Sequence, residues 1–343
     1  MIEKATEIGK EDIPEIPDIP GLRFRLFQGE SDFANILAIF NACKYGDGLD
    51  YTMTLENISH HFKHLERSDP YTDLIFVEAD GKAIGYGRVG WYPEDTGDKI
   101  YYGLGWVIPA WRRKGIGTAI LRFIEHRGRL IAADHPEDNK KYHQNDHNDQ
   151  RADVAHLLKK NGYEEIRWGY EMVRSIDEPL PEVSLPKELE VRPVPKNRYR
   201  DLFNAQNEAF RDHWGHVEAT EEGYQRFLSE PTFNPSLWKV AWDQDQVAGT
   251  VLNYVHEEEN LEYQRKRGYT ENISVRHPYR RQGLARYLLV SSIKMFQEMG
   301  MKETALGVDT QNQHQALSLY EGVGYKVDIK HTTYRKPLTS REG

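Results

Sequence analysis

The chain holds a single cysteine, Cys43, in 343 residues. One thiol excludes an intramolecular disulfide framework and fits a reducing compartment. No run of about 18 apolar residues occurs, so no membrane-spanning helix is expected. The first stretch, "MIEKATEIGKEDIPEIPDIPG", lacks the apolar core of a signal peptide; charged and proline-spaced, residues 1–21 read as a disordered arm. These absences together point to a cytoplasmic protein with no membrane partner. Basic excess is also missing: 45 Lys and Arg stand against 54 Asp and Glu, a net charge of -9. That balance argues against a non-specific nucleic-acid binder. Neither a Gly-Lys-Ser/Thr phosphate loop nor a Gly-x-Gly-x-x-Gly fingerprint is present.

What is present is a repeat. "WVIPAWRRKGIG" (106–117) lies over "SVRHPYRRQGLA" (274–285), so that Val107 matches Val275 and Arg112, Arg113 and Gly115 match Arg280, Arg281 and Gly283. The offset of 168 is about half the chain. A second match follows at a similar distance: "LLKKNGYEEI" (157–166) resembles "LYEGVGYKVD" (319–328). Two copies of one domain account for this better than chance. Between them Pro179, Pro181, Pro186, Pro193 and Pro195 favour extended chain. The expected organisation is an arm at 1–21, domains at 22–177 and 189–338, and a linker at 178–188.

Within each copy, strands and helices alternate. "YTENISV" reads as a strand that ends at the arginine-glycine turn. A helix follows, with Leu284, Leu288, Met295 and Met299 expected on one face. The pattern predicts an α/β layer structure in each half. "DHPEDNKKYHQNDHNDQR" (134–151) reads as a solvated loop; His143 and His147 are four apart, but no cysteine accompanies them, and no metal is expected. "HEEENLEYQRKRG" (256–268) reads as a connection beside the site, either a solvated face or a surface for a cationic acceptor.

A strand, then Arg-x-x-Gly, then a helix is suited to anions. Unpaired N–H groups at the helix start and the helix dipole favour negative charge. Glycine allows a phosphate to approach the backbone, and arginines add charge-assisted hydrogen bonds.

"VRHPYRRQGLARYLL" resembles the acetyl-CoA-binding motif of the GNAT superfamily of N-acyltransferases, and "VDTQNQHQALSLYEGVGYK" resembles that family's second signature. The match covers 190–337 well and 22–175 more weakly. The tandem layout resembles the double-domain members, the mycothiol synthases among them. The resemblance implies an α/β (α+β) fold of two tandem GNAT-like domains, each a mixed central sheet flanked by helices. It implies acetyl-CoA as co-substrate, held by Arg280, Arg281, Gln282, Gly283, Leu284, Ala285 and Arg286 at the turn, by Ile273, Ser274 and Val275 on the strand, and by Asn312. The weaker match extends the same role to Arg112, Arg113, Lys114, Gly115, Gly117 and Thr118.

Acetyl transfer to an amine needs a base for the nitrogen and a proton for the departing sulfur. By the resemblance Tyr320 is the acid. Glu271 is the candidate base; strand alternation puts Tyr269, Glu271 and Ile273 on one face, although many family members carry the glutamate where Tyr269 stands. The Val275 N–H is the candidate oxyanion donor. In the first copy Leu158 replaces Tyr320 and Gln150 replaces Asn312, so no transfer is expected there. Cys43 lies outside both signatures. The expected protein is an N-acetyltransferase acting directly on a primary amine of a small molecule, as monomer or homodimer. A non-catalytic acyl-CoA sensor and a protein N-acetyltransferase are the alternatives. Aminoglycosides, amino acids, polyamines and amino sugars all remain open as acceptors.

Overall fold

The computed structural model describes residues 8–9, 13, 16–311 and 316–338. Contacts divide the chain into two units: 1–166 with 332–343, and 167–331.

The first unit contains β1 (Leu22–Leu26), α1 (Phe33–Cys43), α2 (Leu55–Lys63), the short α3 (Pro70–Asp73), β2 (Leu74–Ala79), β3 (Lys82–Pro93), β4 (Lys99–Val107), α4 (Ile116–Ala133), β5 (Lys141–Asn148) and α5 (Ala152–Lys160). β1 to β4 are antiparallel neighbours in order, and β4 pairs β5 in parallel only from Lys99↔Lys141 to Tyr102↔Gln144. β6 (Glu164–Ser175) starts here and enters the second unit at Arg167.

The second unit repeats the plan with β7 (Leu189–Val191), α6 (Tyr199–Phe210), α7 (Glu221–Ser229), β8 (Lys239–Asp243), β9 (Gln246–Tyr254), α8 (Glu257–Glu262), β10 (Arg267–Val275), α9 (Leu284–Glu298), β11 (Glu303–Asp309) and α10 (Ala316–Glu321). β7 to β10 are antiparallel neighbours, β10 and β11 are parallel, and β11 pairs antiparallel with β6. The final strand, β12 (Lys326–Pro337), belongs to the first unit from Thr332 onward. The mixed sheets with flanking helices are the α/β architecture the alternation implied. The units do not follow the linear division at 178–188, because the closing strands are exchanged. Residues 167–175 complete the sheet of the second unit, and 332–337 that of the first. The second placement is fixed by side chains: Thr332 donates to Asp149 at 2.7 Å, Tyr334 to Glu165 at 3.0 Å and Arg335 to Gln144 at 2.8 Å.

Two expectations change in the first unit. The described part of the arm is packed: Ile13 is 0% exposed in the main core, and Ile8 N–H donates to Phe24 O at 3.0 Å. An isoleucine every few residues gave the arm an apolar side that its charge concealed. Residues 1–7, 10–12 and 14–15 lie outside the described residues. The expected loop at 134–151 contains β5, in which the buried Lys141, Gln144 and Asn148 have partners, for example Lys141 on the Ala132 and His135 carbonyls at 2.9 Å. His143 and His147 thus sit four apart on a strand, roughly 13 Å along it, too far to share an ion. No group of side chains suited to a metal occurs among the described residues.

Helices α4 and α9 each cover one face of their sheet. On α9 the buried stripe is Leu284, Leu288, Leu289, Ile293 and Phe296; Met299 caps the helix and is exposed, which shifts the expected face by about a quarter turn.

Candidate active site

The two arginine-glycine turns have nearly the same backbone. A short 3-10 segment precedes each, at Pro109–Trp111 and His277–Tyr279. Arg113 (φ 62) and Arg281 (φ 60), then Gly115 (φ 84) and Gly283 (φ 83), occupy the left-handed region. Glycine tolerates that conformation, and its αL turn aims the first N–H groups of the next helix outward.

The first arginine of each turn braces the fold. Arg280 Nε donates to Val275 O at 3.0 Å, Nη1 to Asp212 at 2.7 Å and Nη2 to Ala209 O at 2.8 Å. Arg112 repeats this with Val107 O at 2.9 Å and a bidentate pair to Asp47 at 2.7 and 2.8 Å. This corrects the expectation that both arginines of a pair face an anion: the guanidinium of the first ties the strand end to the turn. Gln282 donates back to Pro278 O at 3.1 Å, and Lys114 Nζ stacks 4.4 Å over Trp111. The anion-facing elements that remain are the helix-start N–H groups with Arg281 and Arg286, and with Arg113 in the first unit.

A cavity of about 750 Å³ in the second unit brings most of the expected cofactor residues together. It is lined by Ile273, Ser274, Val275, Arg280, Arg281, Gly283, Leu284, Ala285 and Arg286, and also by Tyr320. Asn312 lies outside the described residues. A Cβ built on Gly283 meets nothing within 4 Å, so the turn is open to a ligand. A diphosphate fits this cradle: open backbone, outward N–H donors and the flanking Arg281 and Arg286.

Next to the cavity the sheet splits. β10 pairs with β11 only from Arg267↔Glu303 to Tyr269↔Ala305, although both strands run on to Val275 and Asp309. Arg276 N–H donates to Ala248 O at 3.0 Å, across to β9. The Val275 N–H, one residue earlier, therefore points the other way, into the gap.

A bulge decides which face each side chain takes. The β9–β10 register shifts between Glu271 and Ser274, and Asn272 has φ 46. Thr250 pins the bulge by donating to Asn272 O at 3.0 Å; its oxygen lies 2.9 Å from Ser274 Oγ and accepts from Gln206 at 3.1 Å. Strict alternation fails as a result. Tyr269 packs with Leu252 and Tyr254 on the α6–α7 face, while Ile273 packs with Leu284 and Leu288 on the α9 face. Glu271 stays on the α6–α7 face with Tyr269, apart from Ile273, because one extra residue inverts the alternation. Thr250 and Gln206 escaped the sequence reading, since a threonine in a strand carries no mark of a bulge on its neighbour.

Tyr320 lies on the other face, 6% exposed and packed among Leu289, Ile293 and Leu306. Burial, and to a lesser extent Tyr325, raises its pKa, which keeps it a proton carrier at neutral pH. Glu271 is solvent-accessible, yet the surrounding protein raises its pKa first by desolvation and then through the charges of Glu230 and Glu171. So a tyrosine hydroxyl and a carboxylate stand on opposite faces beside the gap.

The first unit keeps the frame without these groups. Its cavity of about 370 Å³ is lined by Arg112, Arg113, Gly115, Gly117 and Thr118, with Leu158 where Tyr320 would stand. Glu271 stands opposite Leu252, three residues beyond Gly249, and Leu104 stands opposite Arg88, three residues beyond Gly85, so Leu104 occupies the place of Glu271. β3 and β4 pair without a register shift. A Cβ on Gly115 would meet Pro17 Cγ at 3.1 Å, so the arm lies against this turn. Cys43 is buried beside Val107 O at 3.5 Å, and burial raises its thiol pKa.

Repeated mixed sheets, a glycine-opened turn before a helix and a split between parallel strands define an acyl-CoA transferase class of fold. The chain belongs to the Acetyltransferase (GNAT) family, which matches residues 33–140 and 199–325, and it is an N-acetyltransferase. It is similar to mycothiol acetyltransferase of Geodermatophilus obscurus, 27% identical over 267 residues covering 77% of this chain and 82% of that protein. The corresponding protein of Thermomonospora curvata is 28% identical over 265 residues, covering 75% and 81%. Among solved structures, a GCN5-related N-acetyltransferase from Sphaerobacter thermophilus superposes with a TM-score of 0.69 at 24% identity, over 93% of this chain and 96% of that one. A tandem GNAT protein from the clavulanic acid biosynthesis pathway gives 0.65 at 12% identity, over 93% and 99%. Enzymes of this family use acetyl-CoA as co-substrate.

Proposed function

We propose that the second unit transfers acetyl from acetyl-CoA directly to a primary amine of a small molecule, and that the first unit has no transfer activity. The carrying observation is the gap between β10 and β11, with Glu271 opening on one face and Tyr320 on the other. Such a site receives donor and acceptor from opposite sides. The helix-start N–H groups after Gly283, with Arg281, hold the diphosphate. The Val275 N–H donates to the thioester oxygen as negative charge develops there. Glu271, its pKa raised, takes the proton from the attacking nitrogen. Tyr320 supplies a proton to the departing sulfur, whose own pKa near 8.5 demands only late protonation.

Leu158, Leu104 and the Pro17 contact at Gly115 support a first unit without chemistry, because acid, base and an uncovered turn are all absent from it. The relatives' name supports acetyl transfer; at 27 to 28% identity their acceptor is not assumed for this chain. A cytoplasmic site of action fits the one free, buried cysteine. Free thiol release from acetyl-CoA with a panel of amines tests the reading. Release dependent on both an amine and Tyr320 is expected. Equal slow release by wild type and Tyr320→Phe, with both still binding acetyl-CoA, would leave only a sensor.

A further inference from the structure

We infer that the acceptor is a polycationic amine, a polyamine or multiply aminated sugar, whose non-reacting ammonium groups sit over Gly307 between Glu271, Glu171 and Glu230. This rests on the reading that the second unit acetylates amines at Glu271.

The geometry begins with a cross-strand row. Glu171 of β6 stands opposite Gly307 of β11. The last β10–β11 pair is Tyr269↔Ala305, and two residues further along each strand come Glu271 and Gly307. Cross-strand neighbours share a face, so Glu171 and Glu271 flank Gly307 on the side covered by α6 and α7. A Cβ built on Gly307 meets nothing within 4 Å, so the strand floor between the two carboxylates is open. A glycine within a strand marks a place where something approaches the backbone closely. Glu230 closes the α7 side. It follows Phe227 and precedes Phe233, which both pack with Tyr269 on this face.

The charge on this face is unbalanced. Arg265 pairs with Glu259 at 2.7 Å; Arg267 pairs with Glu303 at 2.7 Å and reaches Glu171 at 3.7 Å. Glu171, Glu230, Glu259, Glu271 and Glu303 thus face two guanidinium groups, a net charge of -3 for these named residues. His331, 4.0 Å from Glu171, adds charge only when protonated. The fields of Glu230 and Glu171 reach Glu271 strongly enough to raise its pKa. Such a surface repels an anionic acceptor, and a monoamine, which gives up its one charge to react, leaves the surface's carboxylates uncompensated. Two strand spacings, about 10 Å, are the least that separates Glu171 from Glu271, since β10 and β11 have parted by Glu271. That suits a molecule whose first amine reacts while another ammonium group lies about that far along it.

The chemical step is unchanged. The uncharged amine forms the N–C bond, the C–S bond breaks, the nitrogen's surplus proton passes to Glu271, and the sulfur receives the Tyr320 proton, which solvent restores. Only the amine next to Glu271 loses its charge.

The experiment compares spermidine with n-butylamine as acceptor, following CoA release by the intact protein. We expect kcat/KM for spermidine to exceed that for n-butylamine at least 100-fold, with the advantage shrinking as salt rises. Glu230→Gln should lower the spermidine-to-butylamine ratio at least tenfold, mainly through the spermidine KM, and Glu171→Gln should do likewise. Thermal melting confirms that each variant folds; Glu230→Gln serves should Glu171→Gln unfold through loss of its Arg267 contact. Equal use of the two amines, or a ratio unmoved by Glu230→Gln, overturns the inference while the acetyltransferase reading stands. Should neither amine be acetylated, calorimetric titration of the acetyl-CoA-loaded protein with spermidine decides separately. Binding weakened at least tenfold by Glu230→Gln upholds the cationic site and sinks catalysis; absence of binding overturns the site itself.

Discussion

Thr250 and Asn272 are joined by one hydrogen bond, the Thr250 hydroxyl donating to the Asn272 carbonyl at 3.0 Å. It holds the single irregular residue of β10 in place, and that residue sends Glu271 to one face and Ile273 to the other. Thr250→Val removes the donor but keeps the shape. The part-buried carbonyl then loses its partner, at a cost of about 1 kcal/mol. The expected outcome is a melting temperature a few degrees lower and a kcat/KM reduced about tenfold or more. A variant with unchanged kinetics would show that the bulge is fixed by other contacts.

Tyr320→Phe deletes one oxygen from a packed site and leaves the ring in its apolar surroundings. The fold and acetyl-CoA affinity should persist, while kcat falls about 100-fold, in the range for loss of a positioned acid. Rapid-quench kinetics and equilibrium binding by calorimetry separate the two effects.

Glu271 gives the pH dependence. Its pKa is raised by desolvation, then by Glu230 and Glu171. A base must be unprotonated to act, so kcat/KM should fall as pH drops through a pKa above the ordinary glutamate value of about 4.3. Glu230→Gln removes one negative neighbour and should move that limb to lower pH. Glu271→Gln should abolish it.

His143 gives a second pH dependence, on stability. It is 1% exposed, and burial followed by the charges of Arg129 and Lys336 lowers its pKa to about 3. The unfolded chain, with a pKa near 6.5, binds a proton that the folded state refuses between those values. Stability therefore decreases as pH falls from about 6.5 toward 3, by up to ~1.4 kcal/mol per pH unit from this residue. Urea titrations at several pH values should show a shallower slope for His143→Gln than for wild type.

Much of this was legible in the sequence because it depends on local chemistry. The Arg-Arg-x-Gly turns appear twice, and the same left-handed torsions appear twice, since a glycine after a strand and before an apolar helix has few alternatives. Leu158 and Gln150 stand in line with Tyr320 and Asn312, so the loss of the acid in the first half is visible by alignment alone; Leu104 in the place of Glu271 is not, because the bulge in β10 breaks the constant offset. What escaped depends on distant partners. The exchange of β6 and β12 cannot be read from either strand, because their composition suits either sheet. The bulge at Asn272 is set by Thr250 and Gln206, residues 22 and 66 positions away in sequence. β5 hid as a loop because it is polar, and its buried Gln144 finds its partner in Arg335, from the far end of the chain.

The most direct test pairs one substitution in each unit and measures amine-dependent CoA release. Tyr320→Phe in the second unit should remove nearly all turnover, and Arg113→Ala in the first should leave it within about twofold of wild type. Turnover retained by Tyr320→Phe and lost with Arg113→Ala would place the chemistry in the wrong half and contradict the account.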